Sequence, residues 1–535
     1  MDKMKLIVAC FTIGIQSLLA QKEYYSGVDK PNNAPIKSDS QYRNSLLAID
    51  TPEMKEILFT LASDSFGGRE LGSAGIELAA DFICSKLNSY GIQKIGENNS
   101  YIQKVGFTWL SWRTNEVRID DHQYRQLWDY LALPRENQSI KISSNEISFL
   151  GYGIDDEKYS DYAKQKVEGK VILIYNGEPK TKKGKFWLSK SEDPSDWTKQ
   201  WDKKLQAIYK YKPKLVLVID DQLKMRIDKF RPQVVSPTVL LDSEAEQSHA
   251  SNVIFISSSM VAQLLGKEIG KLIKARDKIT KTGKPQSINL KTAKLEINMK
   301  REENAVKGKN IMAFIEGSDL KNEILILSAH YDHIGKRGSE VFNGADDNGS
   351  GSTVLTQLAQ ALQIAKNEGR GPRRSVLCLW VTGEEKGLLG SMFYTQSPRL
   401  DLNQTILDIN MDMVGRSDDK YGPSADYVYV IGADRLSHEL YELNQEINDS
   451  YSKLIMDHSY NAESDPNRYY YRSDHYNFAQ AGIPAIFFFN GNHEDYHRIT
   501  DDPQKILFHK MQTIAKHIFR LTLKIANQDH RLKKD

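Results

Sequence analysis

Apolar positions take up a helical spacing once a long polar stretch near the N-terminus ends. From Thr51 the run Thr-Pro-Glu, followed by Met54, Ile57, Leu58 and Leu61, predicts a helix. Its proline sits in the first turn, where the missing N–H has no partner to lose. The glycine-bearing loop SFGGRELGSAG then leads to a second helix expected from about Ile76 to Leu87. Between about 115 and 290 the texture changes. Short apolar runs (VILIY, LVLVI, PTVLL, NVIFI) alternate with lysine-rich loops, which predicts a separate β-rich segment. From about 290 the pattern becomes strand–loop–helix. The strand EILILSA (323–329) leads to His330, and the loop NGADDNGSG leads to a helix from Ser352 to about Ile364. The strands SVLCLWV (375–381), ILDINMDM (406–413) and AIFFF (485–489) follow. Strands that are apolar on both faces and separated by helices predict an α/β fold whose sheet is covered on both sides.

The first 20 residues break this pattern. Lys3 and Lys5 precede a run from Leu6 to Ala20 that is apolar apart from Thr12, Gln16 and Ser17. That run is shorter than the roughly 20 residues that span a bilayer, and it reads as a secretory signal cleaved near Ala20. Residues 21–45 read as a polar linker. No other stretch is long and apolar enough to cross a membrane, so the expectation is an exported chain, periplasmic or secreted.

Composition adds mostly exclusions. With 535 residues, 40% apolar and 27% charged, the chain can bury large cores and is neither disordered nor collagen-like. Seventy-two basic residues against 70 acidic ones give a net charge of +2, which provides no electrostatic reason for a nucleic-acid partner. Three cysteines exclude a disulfide scaffold. Cys10 lies in the leader, Cys84 in a helical pattern and Cys378 in an apolar strand, and the last two read as small buried residues.

Ligand-binding residues of an open α/β sheet gather beyond the carboxyl ends of its strands. His330 and Asp332 end one strand, and Asp346 and Asp347 open the loop before a helix. Glu384 and Glu385 follow a strand by a Thr-Gly step, Asp412 closes another, and His497 lies in the loop after the last. Each has a structural explanation on its own: a hydrogen-bonded histidine, a helix cap, a carboxylate at a helix N-terminus. Asp412 is harder to explain that way, because an unpaired carboxylate in an apolar strand is costly. Five such sites, each beyond a separate strand, favour chemistry. Two imidazoles with three or more carboxylates suit a pair of zinc or similar ions.

The strings SAHYDHIG, NGADDNGSG, TGEEKGLLGS, NMDMVG and YHRITDD, in that order, resemble the co-catalytic zinc peptidases of family M28. LASDSFGGRELGSAG and RSDHYNFAQAGIPAIFF resemble the same family. GYGIDD, GKVILIYNG and KLVLVIDD are similar to a protease-associated domain. The resemblance implies a mixed, mostly parallel sheet flanked by helices. It places the catalytic parts at 46–115 and 291–535, around an inserted β-rich, protease-associated-like domain at 116–290. It also implies two Zn²⁺, other divalent metals being possible. His330, Asp347 and Asp412 would hold one ion, and Asp347 would bridge to a second held by Glu385 and His497. Glu384 would be the general base, and Asp332 would orient His330. The implied activity is removal of N-terminal residues from peptides by metal-activated water. A carboxypeptidase, a glutaminyl cyclase-like transferase and a non-catalytic receptor-like member of the fold are the alternatives. With five ligand positions filled, His333, His475 and His493 are given structural roles. Arg468 to Arg472 bear on pocket shape, and neither a membrane span nor an oligomeric state is implied.

Overall fold

The computed structural model describes residues 39–245, 251–422 and 425–535. The expected signal segment and the linker up to residue 38 lie outside the described residues. Helical structure begins soon after, with Arg43–Ala48. The two helices anticipated near the start are Thr51–Leu61 and Ala74–Ser89. Asp50 caps the first by accepting the Glu53 N–H at 2.8 Å, and Ser73 caps the second, as short oxygen-bearing side chains do at helix starts.

The strands fall where the apolar runs predicted them. Leu320–His330 pairs in parallel with Arg374–Val381 on one side and Thr405–Met411 on the other. Thr405–Met411 pairs in parallel with Ala485–Phe489, and Tyr427–Ile431 then adds antiparallel. The sheet is mixed and mostly parallel. The helices Thr51–Leu61, Ala74–Ser89, Gly351–Asn367 and Phe508–Asn527 contribute to the main core on one face. A smaller core, including Tyr394 and Phe478, covers the other. The C-terminal helix Phe508–Asn527 carries Met511, Ile514, Ala515, Ile518 and Phe519 on its buried side, each large apolar side chain contributing about 1.5–3 kcal/mol. None of the helices of the described residues is long and apolar enough to cross a membrane.

The expected insert, residues 116–290, has more helix than its lysine-rich texture suggests. Strands Ile140–Leu150, Val171–Tyr175, Leu215–Ile219 and Asn252–Ile256 run parallel to one another. Helices Trp201–Tyr211, Leu223–Phe230, Ser258–Leu265 and Ile269–Thr282 accompany them, with apolar clusters on both faces. Thr238–Leu241, the third apolar run, leaves this sheet and pairs antiparallel with Ile102–Ile119. The expected borders at 116 and 290 fall inside two long paired strands, Ile102–Ile119 and Ser287–Ile315. Ser287–Ile315 joins the two parts into one sheet, pairing with Arg374–Val381 near its end and with Ile140–Leu150 near its start.

Candidate metal centre

Strand ends put the acids and imidazoles in one place. His330 is the last residue of its strand, and Asp412 follows the end of Thr405–Met411. Asp347 lies in the turn Ala345–Ser350 that feeds the helix Gly351–Asn367. Glu384 and Glu385 follow Arg374–Val381, and His497 lies beyond Ala485–Phe489. Their donor atoms form two groups whose members lie within 4.8 Å of one another: His330, Glu384 and Asp412, and His333, Asp347, Glu385 and His497. All the residues expected to ligate a metal therefore converge, and His333, given a structural role on sequence grounds, joins the second group.

Asp347 faces both groups. Its Oδ1 lies 3.5 Å from His330 Nε2 and its Oδ2 lies 3.0 Å from His497 Nε2. Asp412 Oδ1 is 3.3 Å from His330 Nε2, and Glu385 Oε2 is 3.3 Å from His497 Nε2. Yet His330 Nε2, His497 Nε2 and Asp412 Oδ1 are buried and lack hydrogen-bond partners. Buried lone pairs that converge without bonding to each other are costly. A mixed imidazole–carboxylate donor set fits zinc or a similar divalent ion, so these residues fit the group the sequence implied.

The surrounding residues hold this arrangement. Asp332 accepts the backbone N–H groups of Glu384 and Glu385 at 3.2 and 3.3 Å. Its main-chain carbonyl, 3.2 Å from His330 Nδ1, is the nearer contact to that imidazole, the carboxylate standing at 3.7 Å. Burial raises the Asp332 carboxyl to about 6. Asp501 accepts the N–H groups of Asp346 and Asp347, tying the turn of Asp347 to the loop of His497. Asp346 turns away to His493, with 3.2 Å between its Oδ2 and Nε2. His475 stacks on Phe487. Beneath the site, the fully buried Arg69 donates to the carbonyls of Leu61, Tyr331, Asn343 and Gly344 at 2.7–2.9 Å. The motif SFGGRE thus supplies a guanidinium that fastens two site loops, a role no local pattern announces.

Electrostatics divide the adjacent glutamates. Burial and the nearby charges of Glu385, Asp412 and Asp474 push the Glu384 carboxyl well above its ordinary value. Burial would raise Glu385 too, but the hydrogen bond to His333 and the nearby His497 imidazole hold it well below. The cleft beside them is lined by Met413, Tyr469, Phe487, Phe489 and Tyr496, with Arg472 among its walls and its guanidinium 5.0 Å from the Tyr469 ring centre. Arg468 instead lies over Tyr471.

Residues 310–522 match the model of Peptidase family M28. A probable leucine aminopeptidase of Trichophyton verrucosum (strain HKI 0517) is 29% identical over 223 residues, which is 41% of this chain and 57% of that protein. A probable zinc metalloprotease of Pyrenophora teres f. teres (strain 0-1) is 28% identical over 222 residues, 36% of this chain and 44% of that one. The chain thus spans about half the length of these curated relatives. The solved aminopeptidase from Aneurinibacillus sp. strain AM-1 superposes with a TM-score of 0.52 at 17% identity, over 93% of this chain and 98% of that one. That likeness is one of fold.

Proposed function

We propose that this chain, whose residues 310–522 form a peptidase family M28 segment, is an exported two-metal exopeptidase that removes residues from the free amino terminus of peptides. The observation that carries the reading is Asp347, which turns a different oxygen to each of two imidazoles, one from a strand end and one from a loop. His330 and Asp412 would hold one ion, Glu385 and His497 the other, with Asp347 between them. Two bound divalent ions would supply Lewis acidity toward the scissile carbonyl and toward water.

The chain's own groups supply the rest. Glu384 lies in the cleft beside the proposed ligands, and its raised proton affinity suits it to take a proton and pass it to the departing amine. Asp332 fixes both glutamates by their backbone amides, so one can ligate while the other works as the base. The carboxylates of the cleft suit a terminal ammonium, and its apolar walls suit an uncharged side chain. Export rests on the basic and apolar leader within residues 1–20. The insert, tied to the catalytic part by the long strand Ser287–Ile315, acts as a protease-associated-like domain that borders the cleft and governs the access of long peptides.

The test uses four peptides: one with both ends free, one acetylated at its amino end, one amidated at its carboxyl end, and one beginning with glutamine. Cleavage of the free and amidated peptides, with the acetylated one left intact, is expected. Cleavage of the acetylated peptide from its carboxyl end would make this a carboxypeptidase, with Arg472 as the receiver of the terminal carboxylate. Cyclisation of the glutamine peptide without hydrolysis of the others would make it a transferase.

A further inference from the structure

The insert holds a cavity of about 490 Å³ that shares no lining residue with the metal cleft. Leu133, Leu205, Phe230 and Leu240 give it apolar walls, and Glu136 and Trp201 face into it. Glu136 Oε2 is buried without a hydrogen-bond partner, and the Trp201 indole lies beside the same carboxyl, its N–H favouring the charged form. A buried carboxylate oxygen left unpaired at a pocket needs an explanation, since leaving such a group unpaired is costly.

The turn carrying Glu136 is firmly built. Arg301 Nη1 donates to the carbonyls of Pro134 and Asn137 at 3.3 and 2.7 Å. The Asn137 amide donates to the carbonyls of Leu133 and Val253, both at 2.9 Å. The Glu136 carboxyl is therefore held at the cavity by fixed backbone. The guanidinium groups nearby are engaged elsewhere. Arg226 pairs with Asp220 at 2.5 Å and lies over the Phe255 ring, and Arg135 pairs with Glu244 at 3.4 Å. Burial pushes the Glu136 carboxyl up to about 7. A cation brought into the cavity would restore its charged form, as an opposite charge does for a buried acid.

We propose that this cavity binds an alkyl ammonium or alkyl guanidinium group, its stem against the leucines and Phe230 and its cationic head on Glu136. The chemistry has two sources, a free amine and a basic side chain of a polypeptide. A capped peptide and a simple amine, used as separate probes, distinguish them.

The test is calorimetric titration of the intact, metal-loaded protein. The probes are N-acetyl-Ala-Lys-Ala-amide, which has no free end to cleave, its norleucine counterpart, and n-butylamine. The lysine peptide is expected to bind at least tenfold more tightly than the norleucine peptide. Glu136→Gln should weaken the lysine peptide and butylamine at least tenfold. A thermal melt of the variant, independent of any hydrolytic activity, reports folding. Binding of butylamine but not of the lysine peptide would assign the cavity to free amines. Equal affinity for the lysine and norleucine peptides would overturn the proposal. So would unchanged affinity in a folded Glu136→Gln variant, or no heat from either cationic probe at millimolar concentration.

Discussion

His333 Nδ1 stands 2.8 Å from Glu385 Oε1, in a hydrogen bond between two fully buried or nearly buried side chains. Glu385 Oε2, the other oxygen, faces His497. His333 therefore decides which oxygen of Glu385 is left for an ion, the role that hydrogen-bond partners of metal ligands commonly have. His333→Ala is expected to weaken binding at the Glu385–His497 position by about 10–100-fold, with the His330–Asp412 position retained. Competition with a zinc chelator, followed by metal analysis, reads this directly. Two equivalents held as tightly as in the parent would leave His333 with packing alone.

Glu384→Gln is expected to keep the metal content of the parent and to lower kcat by about 10²–10⁴-fold, the usual contribution of a general acid–base group. The amide is nearly isosteric with the carboxylate, so the packing around His330 should survive. Parallel measurement of bound metal and of peptide hydrolysis separates a lost base from a lost ion. Near-parental turnover would move the base to another residue.

Arg69→Met tests the support under the site. The substitution keeps most of the side-chain volume but leaves four carbonyls of buried loops without their donor. An unsatisfied buried group costs about 1–3 kcal/mol, and the shared guanidinium makes the losses overlap. A fall in Tm of several degrees is expected, with loss of metal from both positions, since the loops of Leu61, Tyr331 and Gly344 are released together. A melt unchanged from the parent would show that the loops hold without it.

The sequence was most informative where period and chemistry coincide. The strands ending at His330, Val381, Met411 and Phe489 are apolar on both faces because the sheet is covered twice, and a sheet of that kind leaves its acids and imidazoles only at the strand ends. His333 was harder to place. A histidine directly after an aspartate, in a segment already supplying a proposed ligand, has no pattern that distinguishes packing from contact with Glu385. Arg69 was hidden for another reason, because its partners are carbonyls and carbonyls leave no trace in side-chain identity. The helices of the insert were masked by their lysines. Trp201–Tyr211 and Ile269–Thr282 bury only a narrow apolar stripe each, and lysine stems cover the rest.

Lys204 gives a test in the insert that depends on pH. It is 1% exposed, donates to the carbonyls of Tyr152 and Gly177, and is pushed by burial down to about 7. In the unfolded chain a lysine titrates near 10.4. Between those two values the unfolded state holds a proton that the folded state lacks, so stability rises with pH across that window. Below about 7 both states are protonated, and the cost of burying the charge is present in full. Lys204→Met removes the charge at every pH, and its lost hydrogen bonds cost the same throughout. The stability of the variant minus that of the parent should therefore be greatest below pH 7. It should fall by about 1.4 kcal/mol per unit as pH rises from 7 toward 10. Denaturant unfolding of both proteins at pH 6.5, 8 and 9.5 gives the difference, in which the titrating groups that do not interact with Lys204 cancel. A difference that stays flat over this range would mean that Lys204 keeps its proton inside the fold.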